Sequence, residues 1–75
     1  MSKTLSQQVG HRIKVRRVYL NMKQAELGRT IGIAQCYISQ LERGERNLSL
    51  AQLEKIAQAL HCSVLDLMDP ERKVA

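Results

Sequence analysis

The 75-residue sequence predicts a small all-α protein, and three observations support this fold class. Apolar residues recur every three or four positions in several segments, which is helical spacing. Trp and Phe are absent, so the core must be built from Leu, Ile, Val, Met and Ala, which favours helices over strands. Glycines and capping residues stand between the periodic segments. The length suits a single domain over residues 1–75, with its core in about residues 6–69.

The first predicted helix runs from about Ser6 to Asn21, and Asn21 can take the left-handed conformation that ends a helix. Its apolar stripe consists of Leu5, Val9, Ile13 and Leu20. Arg17 occupies a gap in this stripe, so its side chain is directed toward the core. A buried guanidinium is costly unless a carboxylate meets it, and Glu42 is the acid near the end of the third predicted helix. We expect an Arg17–Glu42 ion pair; the alternative is two exposed, unrelated charges.

Residues 24–43 form two short predicted helices separated by one tight turn. Each helix has one apolar face, formed by Leu27 and Ile31 in the first and by Ile38 and Leu41 in the second. Gly32 stands at the turn, where the chain can take the left-handed conformation, and Gly44 ends the second helix. The outer face of this second helix carries Gln35, Cys36, Ser39, Gln40 and Arg43. Gln, Ser and Arg can hydrogen-bond base edges or phosphates, so the pattern indicates a DNA-binding helix–turn–helix.

The start of this motif has two unfavourable residues. Lys23 stands at the cap position before Gln24 and opposes the helix dipole, which a nearby DNA phosphate would offset. Gly28 lies inside the helix and weakens it by up to ~1 kcal/mol relative to Ala. We expect the second helix of the motif, the recognition helix, to approach Gly28 closely.

A fourth helix begins at Ser49, and Gln52 can complete a capping box with it. Its apolar stripe is assigned to the core and consists of Leu50, Leu53, Ile56, Ala57 and Leu60. His61 and Cys62 then interrupt the pattern, and Pro70 ends the predicted order. His61 beside Cys62 could be half a metal site, but a capping or packing role fits better, and we predict no metal and no cofactor.

The fifth predicted helix, residues 64–68, is more apolar than a short terminal helix needs for one core. It contains Val64, Leu65, Leu67 and Met68. We assign Val64, Leu65 and Met68 to a dimer interface, with Leu65 and Met68 facing the second subunit. The alternative is that all four side chains complete the core of one subunit.

Charge and composition limit the function classes. The net charge is +5, and residues 1–46 hold nine Lys and Arg against three Glu. A basic N-terminal half fits binding to a polyanion, and an ordinary solvated surface explains the charge about as well. Cys36 and Cys62 show no metal-ligand spacing and are expected to be free thiols. The N-terminal residues lack a signal-peptide core and no run is long enough to span a membrane, so we expect a cytoplasmic protein, associated with a bacterial or phage nucleoid.

The segment QAELGRTIGIAQCYISQLERGERNLSLAQLEKIAQAL resembles the Xre/Cro-type, lambdoid repressor-like helix–turn–helix regulators. The resemblance covers about residues 9–69. Within the family, YISQLERGERNLSL is most similar to the controller proteins of restriction–modification systems. Ala34, Gly28, His61 and Cys36 depart from the usual family residues, which affects the expected base code more than the fold. The resemblance implies a compact, five-helix, lambda-repressor-like domain.

The resemblance also implies roles for individual residues. Contacts to bases in the major groove are expected from Gln35, Cys36, Ser39 and Gln40. Contacts to the DNA backbone are expected from Lys23, Gln24, Tyr37, Arg43, Arg46 and Asn47. Gln24 is expected to pack on a phosphate and near Gln35, and the Arg17–Glu42 pair matches a buried pair of the family. The last helix is where related small proteins dimerise.

Together these expectations describe a homodimeric transcription regulator on a pseudo-palindromic, double-stranded DNA operator. Two recognition helices would read half-sites about one turn, ~34 Å, apart. RNA polymerase is a candidate partner, to be blocked or recruited, and no membrane is involved. An antitoxin-like protein-interaction module that binds DNA secondarily is the alternative. An enzyme fits less well, since His11 and His61 are far apart in sequence and no paired acids share a predicted face.

Overall fold

A computed structural model describes residues 4–68 and contains five α-helices in that range. The helices are α1 (Leu5–Tyr19), α2 (Gln24–Ile31), α3 (Gln35–Glu42), α4 (Leu50–Ala59) and α5 (Val64–Met68). No strand occurs in these residues, which confirms the all-α class and the five-helix order. The predicted stop at Pro70 lies outside the described residues. Within them, none of the helices combines the length and apolarity that crossing a bilayer requires.

Reciprocal capping boxes begin α1 and α4. At α1, Thr4 Oγ1 accepts from Gln7 N at 3.2 Å while Gln7 Oε1 accepts from Thr4 N at 3.0 Å. At α4, Ser49 Oγ accepts from Gln52 N at 3.1 Å and Gln52 Oε1 accepts from Ser49 N at 3.4 Å. Each box satisfies backbone donors that the first helical turn leaves unpaired. The box predicted at Ser49 is therefore confirmed.

Among residues 4–68, four residues in the left-handed conformation mark helix ends and turns. They are Asn21 (φ 56°), Gly32 (φ 74°), Gly44 (φ 75°) and His61 (φ 55°). α1 ends at Tyr19, two residues earlier than the predicted boundary at Asn21, because Leu20 already leaves the helical conformation. The sequence predicted the positive φ at Asn21 and Gly32 from residue type. His61 takes the same conformation in the turn between α4 and α5.

The core is a single cluster of buried apolar side chains from all five helices. It consists of Val9, Ile13, Leu27, Ile38, Leu41, Leu53, Ile56, Ala57, Leu60 and Leu67. Two residues assigned to the predicted stripes are exposed instead, Leu5 by 61% and Leu50 by 64%. Each is the first residue of its helix. Their periodicity is correct, but the two helices extend beyond the elements that would cover them.

A buried polar network joins the first three helices. Arg17 of α1 donates to Glu42 at the end of α3 through Nε (2.6 Å to Oε2) and Nη2 (3.0 Å to Oε1). Its Nη1 donates to the Met22 carbonyl oxygen at 2.7 Å. Gln24 Nε2, at the start of α2, donates to Glu42 Oε1 at 2.9 Å. Three segments therefore meet at one carboxylate, which compensates for burying the two charges.

Two glycines allow close backbone contacts. A Cβ on Gly10 would overlap the Leu41 carbonyl oxygen, so glycine lets α1 lie directly against the end of α3. A Cβ on Gly28 would overlap the Ile33 carbonyl oxygen. The expected close approach at Gly28 therefore exists, but it comes from the turn before the recognition helix rather than from the helix itself. The contact at Gly10 had no signal in the residue spacing.

We predict that Arg17→Met destabilises the fold by about 3–5 kcal/mol, because it leaves Glu42 buried without its guanidinium partner. Lys14→Met is the matched control, since Lys14 is exposed on the same helix and the substitution changes charge equally. Urea and thermal unfolding followed by circular dichroism measure both. If the two variants lose the same stability, the network does not hold the helices together.

Candidate nucleic-acid interface

The recognition helix α3 separates apolar and polar side chains. Ile38 and Leu41 are 1% exposed and pack in the core. On the other side, Gln35 and Cys36 are exposed, while Ser39 and Gln40 are half-buried. The four residues predicted to face bases thus lie along the solvent side of one short helix, as the predicted role requires.

The two helices of the motif begin without side-chain caps. Ala34 precedes α3 and Lys23 precedes α2, and neither side chain accepts a hydrogen bond from the helix. Glu26 Oε1 accepts from Lys23 N at 3.1 Å, which satisfies one donor outside the first turn. At α5, by contrast, Ser63 Oγ accepts from Asp66 N at 3.2 Å. Uncapped N–H groups at a helix N-terminus suit an anion such as a phosphate.

Arg43, directly after α3, links the solvent side of this helix to the following loop through contacts with Ser39 and Glu45. Its Nε and Nη2 donate to the two oxygens of Glu45 at 2.9 and 3.1 Å, and its Nη1 donates to Ser39 Oγ at 2.7 Å. The hydrogen bond lowers the pKa of Glu45 and raises that of Arg43. Both side chains are more than half exposed. Sequence analysis gave Glu45 no role, because contacts within a loop follow no period.

Arg46 makes a second contact to the recognition helix. Its Nε donates to Gln40 Oε1 at 2.8 Å, and its guanidinium lies 4.9 Å from the centre of the Tyr37 ring. Asn47 Oδ1 accepts from Ser6 Oγ at 3.0 Å, which links the loop to the start of α1. Two arginines therefore flank α3, each bonded to one of its predicted base-facing side chains.

Gln24 is hydrogen-bonded within the protein. Its amide nitrogen donates to Glu42 Oε1, and the contact to a phosphate and the proximity to Gln35 that the resemblance implies stay predictions. Gln24 consequently belongs to the buried network at its α2 end. One amide N–H can still point elsewhere, since the amide group carries two donors.

The cysteines differ in environment. Cys36 is an exposed free thiol on α3, and Cys62 is a half-buried free thiol. Burial raises the pKa of Cys62. The neighbouring His61 carbonyl accepts from Arg16 Nη2 at 3.0 Å, so this residue closes the α4–α5 turn onto α1. Among residues 4–68 no group of three His, Cys, Asp or Glu is placed to hold a metal ion.

The predicted dimer residues of α5 do not all share one environment. Leu65 and Met68 are exposed, by 58% and 38%, whereas Leu67 is fully buried. Val64 is half-buried and packs against the core, so it offers little free surface. Exposed apolar side chains also lie on α1, namely Val15, Val18 and Tyr19. Sequence analysis did not single out this second apolar surface.

Comparisons with known proteins agree with this geometry. The helix–turn–helix family HTH_3 matches residues 13–67. Control protein C.BamHI of Bacillus amyloliquefaciens is 44% identical over 59 residues, which cover 75% of this chain and 73% of that protein. Repressor protein C2 of Salmonella phage P22 is 40% identical over 58 residues, covering 77% of this chain but only 27% of the repressor.

Solved structures show the same fold. The restriction–modification controller protein C.AhdI from Aeromonas hydrophila matches with a TM-score of 0.78 and 31% identity, over 81% of this chain and 92% of that one. Hydroxypropylphosphonic acid epoxidase from S. wedmorenis matches with a TM-score of 0.84 and 32% identity, over 95% of this chain but 38% of the enzyme. The match over residues 13–67 and the similarity to C.BamHI show that this chain belongs to the HTH_3 family of helix–turn–helix, DNA-binding transcription regulators.

Proposed function

We propose that the protein is a sequence-specific regulator that binds a pseudo-palindromic, double-stranded DNA operator as a homodimer, with α3 in the major groove. The observation that carries the proposal is the solvent side of α3. It is polar, it begins with the exposed Gln35 and Cys36, and it is flanked by Arg43 and Arg46. A helix of this kind can reach base edges while arginines hold the adjoining phosphates.

The ends of α2 and α3 support the same orientation. Their N-termini lack side-chain caps, so a DNA phosphate can accept from the free N–H groups and take up the charge of Lys23. We assign base contacts to Gln35, Cys36, Ser39 and Gln40. We assign backbone contacts to Lys23, Gln24, Tyr37, Arg43, Arg46 and Asn47. Ser39 and Gln40 already accept hydrogen bonds from Arg43 and Arg46. Binding would therefore replace these intramolecular hydrogen bonds with hydrogen bonds to DNA.

Dimerisation through α5 completes the proposal. One recognition helix contacts only a few base pairs, so two subunits are needed to recognise a specific DNA site. Leu65 and Met68 supply exposed apolar area on α5, and Val64 supports them from the core side. The biological role that we propose is that of a cytoplasmic repressor or controller acting on RNA polymerase, a binding role rather than a catalytic one. The names of the similar proteins, a control protein and a repressor protein, support a regulatory role.

Gln35→Ala and Arg43→Ala should affect DNA binding differently. Loss of Gln35 should cost ~1–3 kcal/mol at one base position and relax the preference there. Loss of Arg43 should weaken all sequences about equally and make the slope of log K against log salt shallower by about 0.9 per subunit. Selection from random duplexes followed by salt titration measures both effects. Identical sequence profiles and identical slopes for the two variants would contradict the assigned roles.

Leu65→Glu should convert the dimer to a monomer, because it places a charge in a desolvated apolar interface. Leu50→Glu is the matched control, since Leu50 has a similar exposure, 64% against 58% for Leu65, but lies on α4. Sedimentation equilibrium of the two variants and the wild type gives the molecular masses. If Leu50→Glu dissociates the dimer and Leu65→Glu does not, the interface lies elsewhere.

A further inference from the structure

Glu45 binds Arg43, the arginine to which the proposed function assigns a contact with the DNA backbone. Arg43 Nε and Nη2 donate to its two carboxylate oxygens, at 2.9 and 3.1 Å, in the paired geometry that arginine also uses for phosphate. Both side chains are more than half exposed, so the pair lies on the surface and can open. The carboxylate stands where a phosphate oxygen would bind the same fork.

The other acids in residues 4–46 have structural partners. Glu42 is buried and bound to Arg17 and Gln24. Glu26 accepts from the backbone N–H of Lys23 at the start of α2. Glu45, in contrast, contacts a side chain of the proposed DNA-binding surface and is not required to satisfy a buried group.

We propose that Glu45 is an intramolecular competitor for DNA, which holds Arg43 away from the phosphate backbone and so sets the overall affinity. This inference rests on the proposed function. Before Arg43 can bind a phosphate through its Nε and Nη2 fork, that fork must leave the carboxylate, and the freed carboxylate then faces a polyanion. Both effects weaken binding to every sequence. The residue therefore tunes affinity and salt dependence without reading bases.

A positioning role is the opposite possibility. Arg43 Nη1 donates to Ser39 Oγ at 2.7 Å while its other nitrogens are held by Glu45. If Glu45 served to hold this arrangement for base recognition, its loss would weaken binding and relax the preference at one base position. The two roles predict affinity changes of opposite sign, so a single substitution separates them.

The test compares Glu45→Gln with Glu54→Gln in the full chain. Gln keeps the shape of the side chain and removes its charge, and Glu54 is an exposed acid on α4 that gives the same change in net charge. Glu45→Gln should raise affinity about two- to fivefold per subunit, for a selected duplex and for a random duplex alike. The slope of log K against log salt should steepen by up to about 0.9 per subunit. Glu54→Gln should change both quantities less.

The same Glu45→Gln substitution in an Arg43→Ala background tests whether Glu45 affects DNA affinity through Arg43. There Glu45→Gln should gain less affinity than it does in the wild-type background, because competition for the arginine is gone and only repulsion between the carboxylate and the phosphates remains to be removed. An undiminished gain would contradict the competitor role. Thermal unfolding of each variant checks that stability is unchanged, as expected for a surface loop.

Three further results would overturn the inference. If Glu45→Gln matches Glu54→Gln while the wild type still selects a sequence motif, the competitor role is wrong and the proposed function stands. If Glu45→Gln binds more weakly and loses preference at one base position, Glu45 is a positioning residue. If neither the wild type nor Glu45→Gln binds duplex DNA at low salt, the proposed function fails and the inference fails with it.

Discussion

The buried carboxylate of Glu42 fixes the arrangement of the first three helices. It ends α3, accepts two hydrogen bonds from Arg17 of α1, and accepts a third from Gln24 of α2. Such a pair tolerates little displacement, because a charge that loses its partner in the core is strongly destabilising. Gly10 lets α1 approach the same end of α3. Contacts at the buried end of the recognition helix therefore fix its position, and the residues on its outer side take no part in them.

This arrangement explains how a helix as short as α3 can present a surface for DNA recognition. Eight residues do not form a stable helix alone in water, so α3 depends on the packing of Ile38 and Leu41 and on the bonds to Glu42. Because stability comes from the inner side, the outer side can carry residues chosen for contact. Arg43 and Arg46 are already bonded to Ser39 and Gln40 in the free protein. DNA would therefore meet a surface on which these two arginines are already ordered by hydrogen bonds within the protein.

The features that depend on local sequence patterns could be predicted from the sequence. Helical spacing gave the five helices, glycine and asparagine gave the left-handed turns, and the gap in the α1 stripe pointed to Arg17 and its acid partner. It could not show that Leu5 and Leu50 are exposed, because periodicity does not reveal where the covering helices end.

Long-range and loop contacts had no such signal. Gln24 turns to Glu42, Gly10 meets the end of α3, and Glu45 binds Arg43, and each depends on the three-dimensional packing rather than on spacing. The same limit applies to the candidate site. Its residues on α3 were predictable from one helical face, whereas the bonds that hold Ser39 and Gln40 were not.

We propose that the solvent side of α3 enters the DNA groove. This placement can be tested by recording amide chemical shifts of the labelled protein during titration with its selected duplex. We expect the largest shifts at residues 35–40 and 43–47 and at the start of α2, with small shifts on the outer side of α1. Shifts concentrated at Val15, Val18 and Tyr19 instead, with α3 unchanged, would contradict it.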